Sequence, residues 1–197
     1  MTKFLEETNI IDYSNQEIQK LAIKLASDCK TDIEIAKNCF EYVRDNINHS
    51  GDYKNNITTC KASDVLKHKT GWCYAKSHLL AALLRANNIP CGLSYQRLKI
   101  SNDGNGDEFC LHGLNSVYLK DFGWYKIDAR GNKDGINAQF NPPYEKLAFS
   151  IKFIGEKDFI HIYDKPLDVV INSLEKYNNY VDMNSNLPDS ETEMIDN

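Results

Sequence analysis

Cys73, His112 and Asp128 are the three residues whose types and surroundings suit covalent chemistry. A free thiol titrates near pH 8.5 and only its thiolate is a good nucleophile, so a reactive cysteine needs positive charge beside it. Cys73 stands where the nearly uncharged run KTGWCYAKSHLLAALLRANNIP turns helical. Aligned amide dipoles leave about half a positive charge at a helix N-terminus, which favours an anion in the first turn. His112 follows 39 residues later in FCLHGLNSVYL, where alternation puts Cys110, His112, Leu114, Ser116 and Tyr118 on one strand face. A turn over Asp121 to Gly123 leads into GWYKIDAR, in which Trp124, Lys126, Asp128 and Arg130 share a face. Matching faces across that hairpin set Asp128 beside His112. A histidine so placed takes the thiol proton, while the carboxylate fixes its tautomer and stabilises the imidazolium. This is the equipment of acyl transfer.

The elements that must position these groups are read from caps and periodicity. Ser14 with Glu17 is a capping-box signature ahead of Ile18, Leu21, Ala22 and Leu25, which predicts a first amphipathic helix. Thr31 with Glu34 repeats the signal ahead of Ala36, Phe40, Val43 and Ile47, predicting a second helix to about Asn46. The polar, turn-rich HSGDYKNNITTC crosses the surface to the site, and a short helix is expected from Ala62 to His68. Between Trp72 and Ala86 only Lys76 and Arg85 are formally charged, so the helix bearing Cys73 is buried on most sides. Thr70 is its expected N-cap, and Asn87, Asn88 and Pro90 mark its stop. The second half changes period: CGLSYQRLKI, FCLHGLNSVYLK, GWYKIDAR, LAFSIKFI and DFIHIYD predict an antiparallel sheet. Pro166 then opens a closing helix with Leu167, Val170, Ile171 and Leu174 on one face.

Three blocks, GWCYAKSHLLAALLRANNIPC, LHGLNSVYL and FGWYKIDARG, resemble those of the transglutaminase-like superfamily. They match its Gly-x-Cys opening a buried helix that ends in Arg-Ala-x-x-Ile-Pro, its histidine-bearing strand, and its tryptophan-containing strand ending in Asp. The resemblance spans Ala36 to Gly131, with FEYVRDNI similar to the family's preceding helix and the tract from Tyr144 to Tyr177 similar to the C-terminal part of small bacterial members. It implies an α+β, papain/transglutaminase-like core: a buried cysteine helix packed on an antiparallel sheet, with a helical N-terminal region and a closing C-terminal helix. It also implies that Cys73, His112 and Asp128 act together on an amide or ester carbonyl through a thioester. The sequence departs from the common pattern after the histidine, where Gly113-Leu114-Asn115 replaces an aromatic or small residue followed by an acidic one. For the oxyanion, the Cys73 backbone amide is the natural donor. No glutamine lies just upstream as in papain-type proteases, so Trp72, Tyr53 or another backbone amide is the candidate second donor.

Composition narrows the alternatives. At 197 residues with 42% hydrophobic content the chain fits one domain, expected over residues 1–181, and the acidic stretch 182–197 reads as a disordered tail. A net charge of -5 without a basic cluster counts against nucleic acid or anionic membranes as partners. No apolar run suits a signal peptide or a membrane span, so a cytoplasmic location is expected. The six cysteines (29, 39, 60, 73, 91 and 110) form no CxxC pair and read as reduced thiols. Asp103, Asn105 and Asp107 imitate a calcium loop, but Glu108 holds the place of its glycine and Leu114 that of its bidentate glutamate. Cys110 and His112 lack zinc-ribbon spacing toward Cys73 or Cys91, so no metal and no cofactor are expected. His78 reads as structural, and His49, His68 and His161 as exposed or locally hydrogen bonded. The expected partner is a peptide, protein or small amide substrate, with the oligomeric state left open. Hydrolysis is favoured over cross-linking transglutamination and over arylamine-acetyltransferase-like transfer; a non-catalytic binding module on the same scaffold is the competing class.

Overall fold

In the computed structural model, which describes residues 1–101 and 103–193, the N-terminal region is helical where caps and apolar spacing agree. Helix α1 (Gln16–Ala26) buries Ile18 and Ala22. Its cap is Asn15, whose side chain accepts from the Glu17 and Ile18 amides at 3.0 and 3.5 Å. Ser14, the expected cap, instead donates its amide to Glu7 Oε1 at 2.8 Å. A turn closed from the Asn15 amide to the Asp12 carbonyl shifts the start by one residue, and asparagine caps as well as serine. Helix α2 (Asp32–Asn46) begins at the expected Thr31–Glu34 capping box and buries Ala36, Cys39, Phe40 and Val43.

Strand β1 (Asn48–His49), helices α3 (Ser50–Tyr53) and α4 (Ala62–His68) and strand β2 (Thr70–Gly71) lead to α5 (Cys73–Ala86). β1 and β2 pair in parallel, Asn48 with Thr70 and His49 with Gly71. This corrects the cap of the cysteine helix: Thr70 lies in a strand with its hydroxyl taken by Asn55 at 2.7 Å. The N-cap is Trp72, which makes no side-chain cap bond. Every residue from Cys73 to Arg85 is buried. An unpaired charge there would cost several kcal/mol, and each charge meets backbone carbonyls. Lys76 Nζ donates to the Ile47 carbonyl and, at 3.4 Å, to that of Arg44. Arg85 donates twice to the Cys91 carbonyl, at 3.0 and 2.8 Å, and once each to those of Glu6 and Asp164. His78 bonds the Cys60 carbonyl through Nδ1 at 2.8 Å, in keeping with a structural role.

The antiparallel sheet contains β3 (Cys91–Lys99), β4 (Phe109–Leu119), β5 (Gly123–Ile127) and β6 (Lys157–Asp158), in the order β5-β4-β3-β6. β3 pairs with β4 along its full length, in register Cys91 to Val117 through Lys99 to Phe109. β5 covers β4 only from Leu119 to Asn115. The first half of β4 therefore keeps an edge free of β5, and α5 begins beside it.

Two expectations fail in the C-terminal half, and a third, a strand over DFIHIYD, shrinks to β6 and a single bridge from Tyr163 to Leu93. LAFSIKFI, over residues 147–154, is not a strand. Its amides go to carboxylates instead: Ala148 to Asp128 at 3.0 Å, and Lys152 and Phe153 to Glu156 at 2.7 and 3.0 Å. The acidic stretch from residue 182 is ordered as far as it is described. After α6 (Asp168–Lys176), α7 (Tyr180–Asn184) is capped by Asn179. Asp189 then pairs with Arg97, and the Ile160 amide reaches Glu193 Oε1 at 2.6 Å. Asp189 thus finds a cation of the sheet, and Glu193 an amide just beyond β6. Residues 194–197 of that expected tail lie outside the described residues.

Candidate active site

Cys73 opens α5, and the amide of Gly113 on the free edge of β4 points at its sulfur, N to Sγ 3.4 Å. His112 precedes Gly113 on β4, and the Cys73 sulfur is close enough to act on the charge of its ring. His112 Nε2 lies 2.8 Å from Asp128 Oδ2, which leaves Nδ1 for the sulfur. The β4–β5 register explains this meeting. Ser116 pairs with Lys126 and Tyr118 with Trp124, so the two predicted faces coincide. The ladder ends at Ile127, and Asp128 leaves it to reach His112. Its carboxylate is also held by the Ala148 amide at Oδ2 and the Arg130 amide at Oδ1, 3.0 and 3.1 Å. All three residues singled out in the sequence are thus in one place.

The electrostatics favour charge separation. Burial opposes a charged His112, but the Asp128 carboxylate, the Cys73 sulfur and hydrogen bonds to both outweigh it and lift the imidazole pKa to about 10. Burial likewise opposes an ionised Asp128, and the His112 cation with two backbone amides overcomes it, holding the carboxyl below its ordinary value. The imidazolium form and the carboxylate stabilise one another. Lys76, one turn along α5, is driven down to about 7 by burial first and the nearby Arg130 charge second. The missing side-chain cap at Trp72 leaves first-turn amides of α5 unclaimed by side chains.

Gly113 has a physical reason to depart from the common family pattern. A Cβ there would come 2.9 Å from Tyr74 Cα and 3.1 Å from its nitrogen, so only glycine lets β4 approach the first turn of α5 closely enough to touch the sulfur. Tyr74 Oη completes the seam by donating to the Leu111 carbonyl.

Several residues around the site carried no sequence signal. Phe149 packs edge-on against the His112 ring, 4.9 Å between centroids. Arg130 grips Asp52 with both terminal nitrogens, at 2.6 and 2.9 Å, and Lys133 adds a third bond. Burial alone would raise the Asp52 carboxyl, but these cations bring it down to about 2. The Arg130 position beside Asp128 was visible in IDARG; its acidic partner 78 residues away was not. His49, expected to be exposed or locally bonded, is buried beside Asp52 and meets Trp72 edge-on at 5.7 Å. Burial and the Arg130 charge hold its pKa well below the ordinary value. Trp72 is buried, its indole nitrogen has no protein partner, and its ring stacks on Tyr180 at 6.1 Å. Tyr53 is 64% exposed at the end of α3, a poor setting for a donor to a desolvated oxyanion. Cys73, His112 and Asp128 keep only 7%, 4% and 1% exposure. Among the described residues no cluster of three His, Cys, Asp or Glu is arranged to hold a metal ion. Nor is any described helix long and apolar enough to cross a membrane.

The model of the transglutaminase-like superfamily matches residues 19–129, more than half of the chain. Among solved structures the chain is similar to a candidate cysteine protease from Cytophaga hutchinsonii, with 22% identity and a TM-score of 0.50 over 64% of this chain and 40% of that one. It is similar to the periplasmic domain of TgpA from Pseudomonas aeruginosa, with 17% identity and a TM-score of 0.48 over 64% and 45%. It is similar also to red sea bream transglutaminase, with 12% identity and a TM-score of 0.40 over 64% and 27%. The chain thus spans less than half the length of each. No curated protein matches it significantly. With its cysteine helix packed on an antiparallel sheet in an α+β, papain/transglutaminase-like core, the chain belongs to the transglutaminase-like superfamily.

Proposed function

We propose that this protein is a cysteine-dependent acyl-transfer enzyme that hydrolyses amide bonds in peptide substrates. The observation that carries the reading is the meeting of His112, bonded through Nε2 to Asp128 at 2.8 Å, with the start of α5, where the amide of the next residue, Gly113, reaches the Cys73 sulfur at 3.4 Å. With His112 already holding the proton as an imidazolium, Sγ attacks the carbonyl carbon, and the carbonyl π pair moves onto oxygen. The oxyanion meets the Cys73 backbone amide and, as second donor, the indole N–H of Trp72, which is buried and unbonded to protein. One such donor is worth about a hundred-fold or more in rate. Collapse breaks the C–N bond, and the amine leaves with the proton from His112. His112 then deprotonates a water that attacks the Cys73 thioester; the C–S bond breaks, the acid departs and the thiol regains its proton. An amine in place of that water would give cross-linking.

The test is to incubate the protein with a defined peptide pool, with and without an added primary amine, and to follow protein and peptides by mass spectrometry. The expected result is a transient acyl adduct on Cys73 and free carboxylates as product, both lost in Cys73→Ala. Amine adducts as the main product would shift the assignment to transglutamination. The low exposure of Cys73 also favours a second reading, a binding module that retains the scaffold. Peptides left intact and an unmodified Cys73 are its signature.

A further inference from the structure

We propose that the free edge of β4 beside Cys73, together with Arg97, is a subsite for an extended peptide carrying an acidic side chain, and that residues Leu187–Asp189 of this chain occupy it as a built-in competitor. The inference deepens the peptide reading given above and rests on it for the identity of the substrate class.

Residues two apart on a strand present their amides to the same side. On β4 those of Leu111 and Gly113 both face away from β3. The Gly113 amide meets the Cys73 sulfur, and the Leu111 amide donates to the Pro188 carbonyl at 2.7 Å. The two positions are about 7 Å apart at the rise of an extended strand. The Pro188 carbonyl is therefore bound one strand repeat from the sulfur, on the edge that β5 leaves uncovered. Adding a segment to an open strand edge is a general mode of peptide capture, with side-chain pockets supplying selectivity.

The side-chain contact is equally specific. Arg97 lies opposite Leu111 in the β3–β4 register. Its Nε and Nη2 bond the two carboxylate oxygens of Asp189 at 2.8 and 2.7 Å, and its guanidinium sits over the Phe109 ring, 4.0 Å from the centroid. A bidentate fork of this kind selects a carboxylate. The recognised chemistry is thus a carbonyl for Leu111 followed by an acidic residue for Arg97. Proline suits the anchored place because the contact uses its carbonyl and asks for no N–H from it.

The same C-terminal segment reaches the other flank of the sulfur. Tyr180 stacks on Trp72, the residue preceding Cys73, with ring planes 1° apart. Between these two attachments Met183 is anchored in the core and Leu187 packs against it, while a surface groove of about 520 Å³ opens beside Leu187 among Val169, Ser173, Tyr177 and Asn186. Beyond Asp189 the holds are exposed bonds, such as Lys157 Nζ to the Glu191 carbonyl at 2.7 Å. Segments held this way open locally at low free energy.

The experiment uses the full-length chain and a fluorescein-labelled peptide of the sequence NSNLPDSETE, read by anisotropy, which needs no turnover. Asp189→Lys should loosen the resident segment and tighten binding of the added peptide by about five-fold, the worth of a partly exposed ion pair. Arg97→Glu should abolish that gain for the wild-type peptide. Combining Arg97→Glu with Asp189→Lys re-forms an internal pair of reversed sign and sets the introduced glutamate against the peptide's acidic residue, so the peptide should bind more weakly than to wild type. Binding to Asp189→Lys no tighter than to wild type, or tightening that Arg97→Glu leaves intact, would overturn the proposal. Peptide capture with no acylation of Cys73 would leave the subsite standing and remove the hydrolase reading. Cys73-dependent turnover without capture would do the reverse.

Discussion

Helix α5 and the segments lying over its start are held by different physics. α5 is buried along its length, its apolar side chains inside the core and Lys76, His78 and Arg85 each bonded to backbone carbonyls. The cover is made of the loop over residues 147–154, tied down by carboxylate-to-amide bonds, and of the C-terminal segment, tied by Pro188, the Arg97–Asp189 pair and the Tyr180–Trp72 stack. Nearby Ile154 and Ile160 stay 98% and 87% exposed. The difference separates two tasks. The reacting atoms sit on elements that move only if the core opens, whereas the lid over them joins a few apolar anchors, Met183 among them, to bonds that water can replace.

The sharpest way to break this contrast is at the carboxylate that belongs to both regions. Asp128→Asn keeps the shape but accepts less well from His112 and the Ala148 amide, and kcat should fall by about a thousand-fold or more, measured on whichever peptide the wild type cleaves. In the core, Leu80→Ala should cost about 3 kcal/mol of unfolding free energy in urea, the range for emptying a fully buried leucine site. The pH dependence of stability comes next. His112 has a folded pKa raised to about 10, so its contribution is complete below its unfolded value near 6.5 and is lost as the pH rises through 10. Asp128 has a lowered folded pKa, so its contribution is present above about 3.9 and is lost on acidification. Thermal unfolding of the wild type should therefore shift downward between pH 6.5 and 10, and Asp128→Asn should flatten that slope. The smallest effect belongs to the cover: Asp189→Lys should change unfolding free energy by about 1 kcal/mol or less, as for other partly exposed ion pairs. A loss as large as that of Leu80→Ala would mean that the C-terminal segment belongs to the core after all.

The site was legible because its signals are local. The strand alternation around His112 and Asp128, the turn between them and the apolar run after Cys73 each lie within a dozen or so residues. What the sequence did not reveal depends on distant partners. The Thr70 cap signal lost to pairing with Asn48, 22 residues earlier. LAFSIKFI has the composition of a strand, but the same apolar residues serve a strap whose Phe149 covers His112. The acidic stretch after residue 182 looks like a solvated tail until Arg97, 92 residues away, is placed beside Asp189. Gly113 gave no sign that the first turn of α5 would pack against it.

The most direct test of the central claim is the rate at which iodoacetamide labels each of the six cysteines in the folded protein at neutral pH, resolved by peptide mass spectrometry. A sulfur paired with His112 at the start of α5 should be labelled fastest despite its burial, and Asp128→Asn should slow it while leaving the other five unchanged. Labelling of Cys73 only after denaturation, or at the same rate in Asp128→Asn as in wild type, would contradict an activated nucleophile.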